Sequence, residues 1–288
     1  MQLVRVPNLL TVPGDPLSGF LLGRLGGVPT PLWWAMPAVA SALLLYMAGL
    51  VLNDLADLEV DRKERPQRPL PSGRIARRDA LSVAVILGGT GLGVAAVAGW
   101  AAFLVALLLA LMILAYNFAL KDIPALGAVS MGCCRGLSLL LGAVAAGWRW
   151  PGGGPVAVAA VGLALYIAAV TAIARGETTS LKGKWLPALP MGALVFSFSG
   201  LLWFVRADTW FLIPSLAALA WTGRWTMQLL REASPASVQA AVGGLIRGLL
   251  LVQASFLSIA GMPGLVAAIA LLGLWPVNRW LCRSYYAT

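Results

Sequence analysis

The chain has 288 residues, of which 60% are hydrophobic and 11% charged, with a formal net charge of +10 and no histidine. Soluble domains carry about 25% charged residues, so this composition argues against a water-soluble fold. It also excludes an imidazole base or ligand, and Cys133, Cys134 and Cys282 have neither disulfide-framework nor metal-ligand spacing.

Long, continuously apolar runs set the architecture. In hydrocarbon every backbone polar group must be paired internally, which leaves helix bundles or closed barrels, and unbroken rather than alternating apolar runs select helices. Ten such segments can be drawn: 8–25, 31–52, 80–99, 101–119, 124–147, 155–174, 186–205, 209–229, 238–260 and 263–281. The first is interrupted by Pro13, Gly14 and Pro16 and reads as a broken span. The N-terminus lacks the basic start and compact apolar run of a cleaved signal peptide. The expectation is an all-α polytopic transmembrane bundle, one domain over residues 1–288.

Basic residues set the orientation. With the N-terminus in the cytoplasm and alternating spans, nearly all the loop Lys and Arg fall on the cytoplasmic side, and only Arg24, Arg149 and Arg206 fall opposite. That asymmetry follows the positive-inside rule and predicts both termini cytoplasmic; a bacterial inner membrane is the expected location. Trp33, Trp34, Trp100, Trp148, Trp150, Trp203 and Trp210 lie near the outer ends, as an interfacial belt. The basic charge thus reads as membrane topology and phosphate ligands; membrane lipids are the expected surroundings and nucleic acid is not an expected partner. Glycines within the spans (Gly88, Gly89, Gly91, Gly93) read as helix-packing positions.

The chemistry gathers after the second span, in Asn-Asp-Leu-Ala-Asp-Leu-Glu-Val-Asp over 53–61. If the helix of 31–52 continues, Asn53, Asp54, Asp57 and Asp61 share one stripe, while Glu59 points to solvent. Carboxylate and amide oxygens on one face suit Mg²⁺, a hard cation bound through one or two carboxylates plus substrate phosphates. Arg62, Lys63, Arg65 and Arg68 follow. Arg68 stands in Arg-Pro-Leu-Pro-Ser-Gly, where Pro69, Pro71 and Gly73 stiffen the loop. A guanidinium so held can grip phosphate oxygens bidentately.

Two further charges, Arg135 and Arg247, lie inside apolar runs. Such residues usually face the bundle interior, and Arg135, between Gly132 and Gly136, is expected to reach the cavity and a diphosphate.

These motifs resemble the UbiA superfamily of intramembrane prenyltransferases, most closely its EboC-type branch. The likeness rests on NDLADLEVD followed by RPQRPLPSGRI, on Val4-Arg5-Val6-Pro7-Asn8, and on Tyr116-Asn117-x-x-Leu120-Lys121 after the fourth span. It covers about the first 200 residues. The resemblance implies nine helices around a cavity open to the cytoplasm and laterally to lipid. It implies Mg²⁺ and prenyl diphosphate held between two aspartate-rich motifs. Asn53, Asp54, Asp57 and Asp61 match the first motif, and Tyr116, Asn117 and Lys121 match the loop whose lysine would contact phosphate.

There are two departures. Where the second aspartate motif belongs, residues 174–183 hold no aspartate; Glu177 is the one carboxylate, beside Thr178, Thr179 and Ser180, with Lys182 and Lys184 available to replace metal charge. Four apolar segments, not three, follow residue 185, so 263–281 reads as an added tenth helix. The expected activity is Mg²⁺-dependent transfer of a prenyl group to a small or lipidic acceptor. A membrane terpene cyclase and a non-catalytic isoprenoid binder or transporter are the alternatives.

Overall fold

The computed structural model describes residues 9–26, 30–149, 153–177, 183, 185–205 and 209–285, with side chains described as far as Pro276. The described residues are helical, with no strand among them. Eleven α-helices follow in order: α1 (Gly14–Arg24), α2 (Ala35–Ala56), α3 (Leu58–Glu64), α4 (Arg77–Val97), α5 (Trp100–Ala115), α6 (Pro124–Ala145), α7 (Gly154–Ala174), α8 (Leu189–Phe204), α9 (Thr209–Arg231), α10 (Pro235–Ser258) and α11 (Gly261–Tyr285). Ten of them coincide with the ten apolar segments; the short α3 carries the acidic motif.

Seven helical stretches are long and apolar enough to cross a bilayer. The bundle is therefore built as an integral membrane protein, and its exposed apolar side chains, such as Val85, Ile86, Leu108, Leu216 and Ile269, face where lipid would lie. Trp33, Trp100, Trp203 and Trp210 are exposed at helix ends, as the interfacial belt requires. The first segment departs from a full span. Its helix α1 has 11 residues, about 16 Å at 1.5 Å per residue, against a hydrocarbon core of about 30 Å. Pro13 and Pro16 confine the helix to this short piece, and it lies inside the bundle, with residues from Gly14 to Gly23 almost all buried.

Close helix approach places α1 there. A Cβ on Gly19 would overlap the Leu139 carbonyl oxygen of α6, and one on Gly142 of α6 would overlap the Pro16 carbonyl oxygen of α1. Small residues admit this approach where lipid offers no hydrophobic drive between helices. The glycines that carry packing are thus these. Gly88, Gly89 and Gly93 of α4 face open space, while Gly91 touches Leu45 and Leu44.

Two apolar cores flank α6. One joins α7, α8, α9 and α10 around Tyr166, Phe198, Phe211 and Phe256. The other joins α1, α2, α4, α5, α6, α10 and α11 around Phe20, Leu45, Leu141 and Leu257. Between them a cavity of about 270 Å³ remains, walled by α2, α5, α6, α7 and α10. A third, smaller cluster of Val51, Leu58, Leu70, Ala80 and Ala84 pins the loop after α3 against α2 and α4.

Candidate active site at the cavity mouth

The acidic motif does not continue one helix. α2 ends at Ala56, Asp57 takes φ −88° and ψ 2°, and α3 restarts at Leu58. The expectation of a single helical stripe through Asp61 is therefore corrected. The non-helical backbone at Asp57 interrupts the helix; Asn53 and Asp54 line the cavity wall, and Asp57 and Asp61 lie outside the lining.

Each of the displaced carboxylates is held by a cation. The Lys121 ammonium donates to Asp57 Oδ1, and Asn53 Nδ2 donates to Asp57 Oδ2 at 2.9 Å. Arg68 Nη1 donates to Asp61 Oδ2 at 2.6 Å, with the Asp61 carboxylate buried. The loop that carries Arg68 is internally bonded, and its guanidinium is turned to Asp61. Ser72 N–H donates to the Arg68 carbonyl at 3.0 Å, Ile75 N–H donates to the Pro69 carbonyl at 3.2 Å, and buried Leu70 anchors the turn. Glu59 is solvated, paired at 2.7 Å with exposed Arg62.

The opposite wall is shaped by a wide turn. Tyr116–Leu120 forms a π-helical turn at the end of α5, a departure from α geometry that is frequent at functional sites. It brings Tyr116 and Asn117 into the cavity lining, opposite Asn53 and Asp54. Asn117 is buried; its amide donates to the Ile113 carbonyl at 2.9 Å, while its Oδ1 accepts nothing. Lys121 follows, and its own carbonyl accepts from Arg175 Nη2 at the end of α7. The Ile123 carbonyl accepts from the same nitrogen at 3.4 Å. A side chain on Gly127 would collide with that guanidinium. Arg175, not singled out from the sequence, thus links α7 to the Lys121 turn; its place just before the altered motif was the available signal.

The oxygen-only donor set at the mouth fits Mg²⁺. Asn53 and Asp54 face Tyr116 and the unpartnered Asn117 Oδ1, and one or two carboxylates beside substrate phosphate are what this ion takes. Three acids do not converge among the described residues, because Asp57 and Asp61 are turned to Lys121 and Arg68. The 3₁₀ turn Arg175–Glu177 closes α7. The Glu177 side chain, Thr178, Thr179, Ser180, Lys182 and Lys184 lie outside the described residues.

Deeper in the cavity stands a polar cluster that the sequence only half announced. Arg135 of α6 lines the cavity but does not point free at a diphosphate. Its Nε lies 2.9 Å from Asp15 Oδ2, and its Nη2 donates to the Thr11 carbonyl at 3.1 Å and hydroxyl at 3.3 Å. Gln253 of α10 donates to Asp15 Oδ1 at 2.6 Å and to the Thr11 carbonyl at 2.7 Å. Asp15 and Gln253 are wholly buried. Asp15, an acid inside an apolar run, was the signal that could have found this cluster. Arg247, by contrast, donates at 3.0 Å to the Gly243 carbonyl of its own helix.

The architecture is that of an all-helical intramembrane bundle with a polar-mouthed cavity between its two halves. The sequence model of the UbiA prenyltransferase family matches residues 16–286, and the chain belongs to that family. Among its curated relatives, a digeranylgeranylglyceryl phosphate synthase of Metallosphaera sedula is 33% identical over 143 residues, 49% of each chain. One of Pyrococcus horikoshii is 32% identical over 142 residues, 47% of this chain and 50% of the other. The matches thus span about half the length of these relatives. A solved UbiA homolog from Aeropyrum pernix superposes with a TM-score of 0.69 at 19% identity, covering 86% of this chain and 96% of that one. A UbiA homolog from Archaeoglobus fulgidus, solved with GPP and Mg²⁺, gives 0.60 at 16% identity, covering 95% and 100%.

Proposed function

We propose that this protein transfers a prenyl group from a prenyl diphosphate to an acceptor within the cavity, in a Mg²⁺-dependent reaction. The observation that carries this is the cavity itself. It is a largely apolar passage between α2, α5, α6, α7 and α10, lined at one end by Asn53, Asp54, Tyr116 and Asn117. A diphosphate belongs at that polar end and an isoprenoid tail in the apolar body. The Archaeoglobus fulgidus homolog's ligands support the ligand class. The curated relatives, matched over about half their length, are by name synthases of digeranylgeranylglyceryl phosphate, which supports a lipidic acceptor.

Asn53 and Asp54 would hold the metal, with Asp57 available on exchange of its Lys121 partner. Mg²⁺, when bound, supplies Lewis-acid neutralisation of charge on the departing diphosphate. Lys121 and Arg68 bring cationic N–H donors to the same mouth, stabilising the charge that develops as the C–O bond breaks. Tyr116 and Asn117 orient the head group from the facing wall. Leu109, Ile113, Ile167 and Val170 line the passage and exclude water from the allylic centre.

The positive-inside distribution supports a mouth and both termini on the cytoplasmic side of the membrane. A non-catalytic isoprenoid carrier is the second reading, favoured by the engagement of Asp57 and Asp61 with cations. Purified protein in nanodiscs is incubated with geranyl, farnesyl and geranylgeranyl diphosphate, with and without Mg²⁺. The expected result is Mg²⁺-dependent pyrophosphate release and a product whose mass contains the acceptor. Binding without release supports the carrier, and a product without acceptor mass identifies a cyclase.

A further inference from the structure

The Arg135 cluster is not accounted for by the diphosphate site. Asn53, Asp54 and Asn117 stand at the mouth, whereas Arg135 lies in the middle of α6, with Cys134 and Ser138 beside it in the lining. The guanidinium is buried and fixed on two sides, by Asp15 through Nε and by Thr11 through Nη2. The Nε contact with Asp15 is an ion pair alone, and Nε is a buried donor without a hydrogen-bond acceptor. One turn along the same face, the Ser138 hydroxyl is also buried, lines the cavity and has no hydrogen-bond partner. Thr11 and Thr171 complete the polar lining around the two.

A buried donor and a buried hydroxyl left unsatisfied in a cavity wall call for an oxygen to meet them. The charge state of the cluster says which kind. Asp15 neutralises Arg135, and Gln253 and Thr11 hold the pair rigid. The subsite therefore offers hydrogen bonds without net positive charge. An anion brought there would lose hydration against a pair that is already neutral; an uncharged oxygen loses far less.

We infer that Arg135 and Ser138 form an acceptor subsite that binds an uncharged oxygen function, a hydroxyl, ether or carbonyl, of an amphiphilic acceptor. Asp15 and Gln253 are its positioning residues. The assignment rests on the prenyl-transfer reading of the cavity and adds to it the class of the acceptor's buried end: neutral and oxygenated, with any charged group left at the mouth.

The test is equilibrium binding in nanodiscs, with protein-free discs as blank, so that it needs no turnover. The probes are dodecylglycerol, dodecyl phosphate and geranyl diphosphate with Mg²⁺. Removing the pair as a unit, by Arg135→Met with Asp15→Asn, avoids leaving a buried charge alone. Dodecylglycerol affinity is expected to fall about tenfold in this double variant, as for loss of a hydrogen bond from a charged donor. Ser138→Ala is expected to cost about threefold, and Arg135→Lys to fall between. Geranyl diphosphate affinity stays within about twofold throughout, which also reports intact folding.

Equal dodecylglycerol binding by wild type and the double variant would overturn the subsite. A larger loss of dodecyl phosphate affinity than of dodecylglycerol affinity in the double variant would overturn the uncharged class. A parallel loss of geranyl diphosphate binding would return Arg135 to the diphosphate site. Absence of pyrophosphate release with binding as expected would sink the transfer reading and leave the subsite standing.

Discussion

The ammonium of Lys121 is bonded to the carboxylate of Asp57, across 64 positions of sequence. The contact ties the π-helical turn after α5 to the break between α2 and α3, the two walls of the cavity mouth. It also keeps the central acid of the motif neutralised and turned out of the cavity lining. Lys121 is a counter-ion for Asp57; the proposed reaction gives it a second role, as a donor to substrate phosphate once metal and substrate take its place at Asp57.

Lys121→Ala removes both roles. Affinity for geranyl diphosphate is expected to drop about tenfold, while Lys121→Arg retains part of it. Titration in nanodiscs with Mg²⁺ checks this, and unchanged affinity in Lys121→Ala would remove the lysine from the diphosphate site.

Arg175 is placed to act through Lys121, because its guanidinium holds the Lys121 carbonyl. Arg175→Ala should weaken diphosphate binding by about threefold to tenfold in the wild-type background. In a Lys121→Ala background the same substitution should add almost nothing. Full additivity in this double-mutant cycle would mean that the two residues are independent.

The contact of α1 with α6 has no room for a methyl group. Gly142→Ala forces the Pro16 carbonyl away, and overpacking of this kind costs about 1–3 kcal/mol. Gly88→Ala, on an open face of α4, meets nothing within 4 Å. The expected outcome is a clear fall in melting temperature for Gly142→Ala and none for Gly88→Ala, measured in detergent by scanning fluorimetry.

Much of the bundle was legible because hydrocarbon allows one solution per apolar run, and ten runs became ten helices. The short α1 was only half legible: Pro13 and Pro16 marked a broken span, but its burial depends on Gly19 and Gly142 meeting α6 across the chain. At the site, residue types were readable and their arrangement was not. Asn53, Asp54, Tyr116 and Asn117 face one cavity as the resemblance implied. A uniform 100° step could not foresee the helix break at Asp57. Arg135 was readable as a costly charge in a span, but its partners Asp15 and Thr11 come from 120 and 124 residues earlier, and Gln253, which holds them, from 118 later in the chain. Only the packed bundle brings them together.

The central claim is that the mouth formed by Asn53 and Asp54 is a metal-dependent diphosphate site. The most direct measurement is pyrophosphate release from prenyl diphosphate by wild type and by Asp54→Asn, each in Mg²⁺ and in EDTA. The predicted result is turnover by wild type in Mg²⁺ alone, with Asp54→Asn reduced about 100-fold or more while remaining folded. Wild-type rates in Asp54→Asn, or turnover that persists in EDTA, would contradict the account.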